Sequence, residues 1–210
     1  MYRKYVKRIL DFALAIVATI LLLPLFLALA VIIKADSPGP VFFRQKRMKK
    51  DKEYFTMLKL RTMRTDAPGD TPTHLLSNPE SYISRSGRWL RRYSLDETVQ
   101  VFHILAGSMS FIGPRPALWN QHDLIAERDK YGANDIRPGL TGWAQINGRD
   151  ELPIDVKARL DGEYARDMGF LMDCKVFWGT FRSVLKREGV VEGGTGALGR
   201  HEQVEMEEVR

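Results

Sequence analysis

From Phe12 to Ile33 the chain runs for 22 residues without a charge, FALAIVATILLLPLFLALAVII, and this stretch restricts the fold more than anything else in the sequence. At about 1.5 Å of rise per residue, a helix of that length matches a hydrocarbon core of about 30 Å. A cleaved signal peptide fits poorly, because the apolar run is too long and Ala35-Asp36-Ser37-Pro38 is a weak cleavage context. Pro24, near the middle, removes a backbone hydrogen bond and forces a kink. Both flanks are basic: Arg3, Lys4, Lys7 and Arg8 precede the run, and Lys34, Arg44, Lys46, Arg47, Lys49 and Lys50 follow it. A spanning helix cannot put both flanks on the cytoplasmic side, whereas a hairpin that bends at Pro24 and returns to the same face can. The residues alone leave both arrangements open.

The rest of the chain reads as one globular core. Of its 210 residues 44% are apolar and 10% aromatic, enough to build a hydrophobic interior. The single Cys174 excludes an intramolecular disulfide and points to a reducing compartment. His74, His103, His122 and His201 do not approach one another at zinc-ligand spacing. Charge divides the chain into parts. Residues 1–64 hold fourteen Lys/Arg against four Asp/Glu, and residues 188–210 hold two against six. A leader that is both basic and apolar suits an anionic lipid surface. A nucleic-acid partner is not expected, since Trp89, Tyr93 and Trp143 are too scattered to interleave with the cations. The expected organisation is a basic leader and membrane helix over 1–36, a catalytic core over 37–187 and a flexible acidic tail over 188–210.

Periodicity predicts a mainly helical α+β fold with one small hairpin. Ser37-Pro38-Gly39-Pro40 ends the apolar helix. Val41–Arg44 and Tyr54–Leu60 read as strands, joined by the charged stretch Met48–Glu53. Asp66–Ser81, rich in Pro and Gly, reads as loop, and 84–93 and 95–106 read as helices. Phe170, Cys174, Phe177 and Phe181 recur at helical spacing with Lys175 and Arg182 on other faces. Such an amphipathic basic helix either packs on the core or lies in a lipid interface.

Ser94-Leu95-Asp96-Glu97 has the form of a capping box, with Ser94 as N-cap and Glu97 reaching back to it. Asp96 then falls in a first helical turn, where backbone N–H groups favour anions. Arg85, Arg88, Arg91 and Arg92 lie just upstream. Gly113-Pro114-Arg115-Pro116, Arg137-Pro138-Gly139-Leu140-Thr141-Gly142 and Asn147-Gly148-Arg149 each hold an arginine in a stiff loop, a combination suited to clamping a diphosphate.

Together these segments resemble the catalytic core of the monotopic phosphoglycosyl transferases, the bacterial sugar transferase family. The matching elements are Lys7-Arg8-x-x-Asp11, Ser37–Gln45, Lys59–Met63, Ser94–Glu97, Met109–Pro116, Arg137–Gly142, Gln145–Arg149 and Leu160-Asp161-x-x-Tyr164, covering about Lys7 to Lys186. The resemblance is to the short form without added domains. It implies transfer of a sugar 1-phosphate from a UDP-sugar to undecaprenyl phosphate, releasing UMP, with Mg²⁺ and an aspartyl-phosphosugar intermediate. It makes Asp96 the nucleophile and Glu97 its partner, the two also serving as metal ligands. It gives Arg115 with Pro116 to the phosphates or nucleotide. Lys59, Arg88, Arg137, Gln145, Asn147 and Arg149 would line the polar site, and Asp161 would support metal or sugar. It implies a re-entrant helix broken at Pro24, amphipathic interfacial helices around a cytosolic core, and a monotopic location on the cytoplasmic face of the bacterial inner membrane, in contact with its lipids. Oligomeric state is open between a monomer and a homodimer. The sequence departs from the family pattern in the glycine-free turn at 48–53, in Thr98-Val99-Gln100 and in Ser108. The competing reading is a non-catalytic, membrane-anchored protein whose arginine loops bind anionic lipid or polymer.

Overall fold

The computed structural model describes residues 1–67, 79–148 and 152–186. The acidic stretch 188–210 and Arg149 lie outside the described residues, as do residues 68–78 of the expected loop. The apolar run forms α1 (Lys7–Asp36), preceded by a turn of π-helix over Tyr2–Val6. α1 runs as one helical element with Pro24 inside it. A mid-helix proline removes one N–H, and the flanking turns carry the remaining bonds. By length and composition α1 is able to cross a membrane, and only 17% of its most apolar window is buried.

Both ends of α1 are fastened to one body. Near its start, Lys7 meets Asp173 at 2.7 Å, Arg8 donates to the carbonyls of Ile104 (2.6 Å) and Leu105 (3.0 Å), and Asp11 accepts from the Ser110 hydroxyl at 2.7 Å. At its far end Asp36 accepts from both the N–H and the hydroxyl of Ser86, each at 2.8 Å. Arg61 caps the exit by donating to the carbonyls of Ser37 (2.6 Å) and Pro38 (3.0 Å). Gly39, at φ 120°, sits against that guanidinium; a Cβ there would come within 2.2 Å of it.

The hairpin is longer than alternation suggested: β1 (Phe42–Met48) pairs antiparallel with β2 (Tyr54–Leu60), from Phe42 opposite Leu60 to Met48 opposite Tyr54. Asp51 and Lys52 take the positive φ that glycines would ordinarily supply in its turn. The stretch expected to be loop through Ser81 ends in a helical turn, α2 (Pro79–Tyr82). It leads to α3 (Arg85–Arg92), where Ser84 is the N-cap, accepting from Gly87 N–H at 3.0 Å. The expected helix over 95–106 is two elements, a 3₁₀ segment Leu95–Gln100 and α4 (Val101–Leu105).

A second, parallel sheet was not legible in the sequence: β3 (Ser110–Ile112) pairs with β4 (Gly139–Thr141). Gly113 and Gly139 permit it, since a Cβ on Gly139 would lie 2.1 Å from the Gly113 nitrogen. Between and after these strands come α5 (His122–Asp129), α6 (Trp143–Ile146), α7 (Ile154–Asp167) and α8 (Phe170–Lys186). One apolar cluster joins Leu29 and Ile33 of α1 to Leu60, Leu90, Val99 and Ile104, each 2% exposed or less. Full burial of such side chains is worth about 1.5–3 kcal/mol each. A second cluster gathers Ile112, Ile136, Tyr164 and Val176, and a third gathers Met48, Ala117, Leu124 and Ala158. On α8 the opposite face keeps Leu171 (83%), Trp178 (68%) and Phe181 (56%) exposed.

Candidate active site

Where the clusters meet, a cavity of 1410 Å³ opens against α1. Asp96 and Glu97 line it together with Lys59, Arg91 and Arg115. The approach to this pair differs from the capping box. Ser94 adopts φ 54°, a left-handed turn between α3 and the 3₁₀ segment, and its hydroxyl caps nothing. Glu97 does not reach back to it. Instead Glu97 Oε1 accepts from Lys59 Nζ at 2.7 Å and from Arg115 Nη2 at 2.6 Å, while Oε2 accepts from Arg115 Nη1 at 3.2 Å. Two cations outcompete one backbone N–H for the carboxylate, and the sharp turn at Ser94 carries the side chain toward them.

The two neighbouring carboxyls are driven apart. Burial raises Glu97, but Arg115 and Lys59 overcome it and hold the group well below the usual carboxylate range. At Asp96 burial wins: it raises the carboxyl, with the Glu97 charge adding, against the pull of Lys59 and Arg91. Among the described residues no side chain donates a hydrogen bond to Asp96. Adjacent acids with divergent proton affinities are a common sign of divided labour in a site. Here Glu97 is a fixed anion that orders two cations, and Asp96 is the carboxylate open to the cavity.

The other described sequence candidates divide into two groups. Lys59, Arg115, Pro116, Gln145 and Asp161 line the cavity together with Asp96 and Glu97. Arg88 is exposed on α3, Arg137 is exposed and donates to the Gly107 carbonyl at 2.9 Å, and Asn147 is exposed and donates to the Trp143 carbonyl at 2.7 Å. None of these three lines the cavity. Stiff loops fix an arginine's backbone, but only the folded chain decides which way the loop faces. Asp161 reaches the wall already committed: Arg128 Nε and Nη2 donate to its Oδ2 at 2.8 and 2.5 Å, and the pair is buried. Arg128 also donates to the Arg115 carbonyl at 3.0 Å, which links Asp161 to Arg115.

A family model described as bacterial sugar transferase matches residues 2–187. The chain belongs to that family. It is 40% identical over 177 residues to the UDP-glucose:undecaprenyl-phosphate glucose-1-phosphate transferase of Xanthomonas campestris pv. campestris, covering 81% of this chain and 37% of that protein. It is 37% identical over 188 residues to the undecaprenyl-phosphate glucose phosphotransferase of Komagataeibacter xylinus, covering 84% and 35%. The chain therefore spans little more than a third of the length of these two relatives. The uncharacterized sugar transferase EpsL of Bacillus subtilis (strain 168) is 34% identical and matched over 88% of this chain and 89% of its own.

In this sugar transferase the sequence understated two parts of the site. Arg91 lines the cavity and donates through Nε to Thr62 Oγ1 at 2.9 Å, where the reading had placed Arg88 one turn away. Gln45 and Arg47 also line it. The signal for both was the period-two alternation Phe43, Gln45, Arg47 along β1, which a strand ending at Arg44 cuts short.

Proposed function

We propose that this bacterial sugar transferase moves a sugar 1-phosphate from a UDP-sugar to undecaprenyl phosphate and releases UMP, with Asp96 as the nucleophile. The observation that carries the reading is Asp96 itself, a carboxylate with no side-chain donor among the described residues, set with Lys59, Arg91 and Arg115 in one cavity. The Xanthomonas relative is named as a UDP-glucose:undecaprenyl-phosphate glucose-1-phosphate transferase and the Komagataeibacter relative as an undecaprenyl-phosphate glucose phosphotransferase, which supports the transfer but not the nucleophile. In the first step a carboxylate oxygen of Asp96 bonds to the phosphorus that bears the sugar. The bridging P–O bond breaks, and UMP leaves with the electron pair. In the second step an oxygen of the lipid phosphate attacks the same phosphorus, and the Asp96 carboxylate is released. Lys59 and Arg115, held by Glu97, and Arg91 offset the charge that builds on the phosphoryl oxygens.

A Mg²⁺ ion fits this arrangement. Among the described residues no three His, Cys, Asp or Glu side chains stand together, and both Glu97 oxygens already accept from cations. Among the described residues Asp96 is a cavity carboxylate that accepts no side-chain bond, which suits an ion commonly held by one or two carboxylates plus substrate phosphates. Bound there, the metal would supply charge neutralisation to the diphosphate.

The cavity lining also includes apolar side chains, Leu14, Val17 and Leu21 of α1 and Phe177 and Phe181 of α8. These suit the first units of the lipid acceptor. α1 is read as a re-entrant helix, with both ends on the cytoplasmic face of the inner membrane. Support comes from the bonds that tie its start to Asp173 and Ser110 and its end to Ser86 and Arg61, because a helix crossing about 30 Å of hydrocarbon would carry one set away. The test uses Lys4→Cys and Lys34→Cys separately in a Cys174→Ser background. Neither site should react with an impermeant maleimide in intact cells, and both should react after permeabilisation. Labelling of one from outside would establish a span. The activity itself is tested by UMP release from a panel of UDP-sugars with Mg²⁺, with and without undecaprenyl phosphate; release from none of them would favour the non-catalytic, anion-binding reading.

A further inference from the structure

The cavity does not end at Arg115. Its wall continues over Gln45 and Arg47 of β1, Leu118, Gln121 and Leu124 at the start of α5, and Lys157 of α7. Among the described residues, the acceptors named here each already take a bond. Gln121 Oε1 accepts from Leu118 N–H at 2.8 Å, and Gln45 Oε1 accepts from Arg47 at 3.1 and 2.7 Å. Since both partners can only donate, neither amide can be turned over. The carbonyls of four successive residues are likewise engaged: Arg115 by Arg128 (3.0 Å), Pro116 by Arg47 (2.8 Å), Ala117 by Met48 N–H (2.9 Å) and Leu118 by Gln121 N–H (3.1 Å). Two amide donors remain open among the described residues. The Nε2 groups of Gln45 and Gln121 meet no acceptor among the described residues, and Arg47 and Lys157 line the same wall.

We propose that this donor-rich recess receives the sugar of the UDP-sugar, and that Gln121 and Gln45, donating to its oxygens, select which sugar phosphate is transferred. The inference rests on the UDP-sugar reading above. A uracil ring would fit the recess badly. Its N3–H needs an acceptor, and an unpaired buried donor is costly. A sugar hydroxyl or acetamido oxygen can act as acceptor and so matches a wall made of N–H groups.

The experiment compares wild type with Gln121→Glu and Gln45→Glu on UDP-glucose, UDP-galactose, UDP-N-acetylglucosamine and UDP-N-acetylgalactosamine. Glutamate keeps the oxygen that accepts from Leu118 or Arg47 and replaces the donating nitrogen by an acceptor, so the internal bonds survive. A thermal melt of each variant checks that, and if one fails to fold the other carries the same comparison. For the preferred UDP-sugar, kcat/KM should fall about tenfold or more, as expected from losing one or two substrate hydrogen bonds, and the order of preference among the four should change. Inhibition by UMP should stay within about twofold, because UMP lacks the sugar. A loss of UMP inhibition equal to the loss in kcat/KM would assign the recess to the nucleoside and overturn the proposal. An unchanged order of preference would overturn it too. Failure of the wild-type chain to release UMP from any UDP-sugar is a separate result, and it removes the parent reading instead.

Discussion

Asp96→Asn is expected to lower UMP release by roughly 10⁴-fold or more, the scale of loss when a covalent nucleophile is removed. The amide has nearly the shape of the carboxylate, and the contacts of Glu97 with Lys59 and Arg115 do not involve Asp96. The variant should therefore fold and still bind the UDP-sugar. Two measurements accompany the rate. With undecaprenyl phosphate withheld, mass spectrometry of wild type after exposure to the UDP-sugar should find a phosphosugar on the peptide carrying Asp96, and the Asn variant should lack it. The pH profile should also respond: because burial raises the Asp96 carboxyl, kcat/KM should fall on the acid side at a pH above the ordinary aspartate range, as the nucleophile takes up a proton. Wild-type turnover by Asp96→Asn would remove this residue from the chemistry.

The largest effect on stability is expected from Asp161→Ala. Its partner Arg128 has a side chain only 3% exposed, and Asp161 itself is 1% exposed. Losing the carboxylate leaves a guanidinium buried without its counter-charge, which costs roughly 3–5 kcal/mol. For a chain of this length that lowers Tm by roughly 10 °C. Chemical denaturation in detergent reads the change directly. The paired replacement Arg128→Met with Asp161→Leu should recover most of it, since two apolar side chains can take the place of a buried ion pair at little net cost. Recovered stability need not restore turnover, because Arg128 also holds the Arg115 carbonyl at 3.0 Å. A single variant as stable as wild type would show that Arg128 is satisfied without Asp161.

Comparison of the hairpin with the arginine loops shows what local sequence can carry. The pairing of Phe42–Met48 with Tyr54–Leu60 was legible because side-chain alternation is a property of the strand itself, although the alternation was followed too short a distance. α8 was legible for the same reason, its apolar residues returning every three or four positions. The sheet of Ser110–Ile112 with Gly139–Thr141 was not, because three residues are too few to show a period. Ser94-Leu95-Asp96-Glu97 was misread as a capping box because its spacing satisfies that motif, while the competing partners Lys59 and Arg115 are remote in sequence.

The apolar length of α1, its basic flanks and the position of Asp96 beside Glu97 were determined by the sequence alone, since each is a matter of residue type and spacing along one element. Which arginines face the reacting centre was decided only by the tertiary structure. Arg91, Arg115 and Arg47 line the cavity, Arg88 and Arg137 are exposed and do not line it, and Asp161 is given to Arg128. The reason is physical: a charged side chain settles where its counter-charge and hydrogen-bond partners are, and those are brought to it by segments tens of residues away, which no local period records.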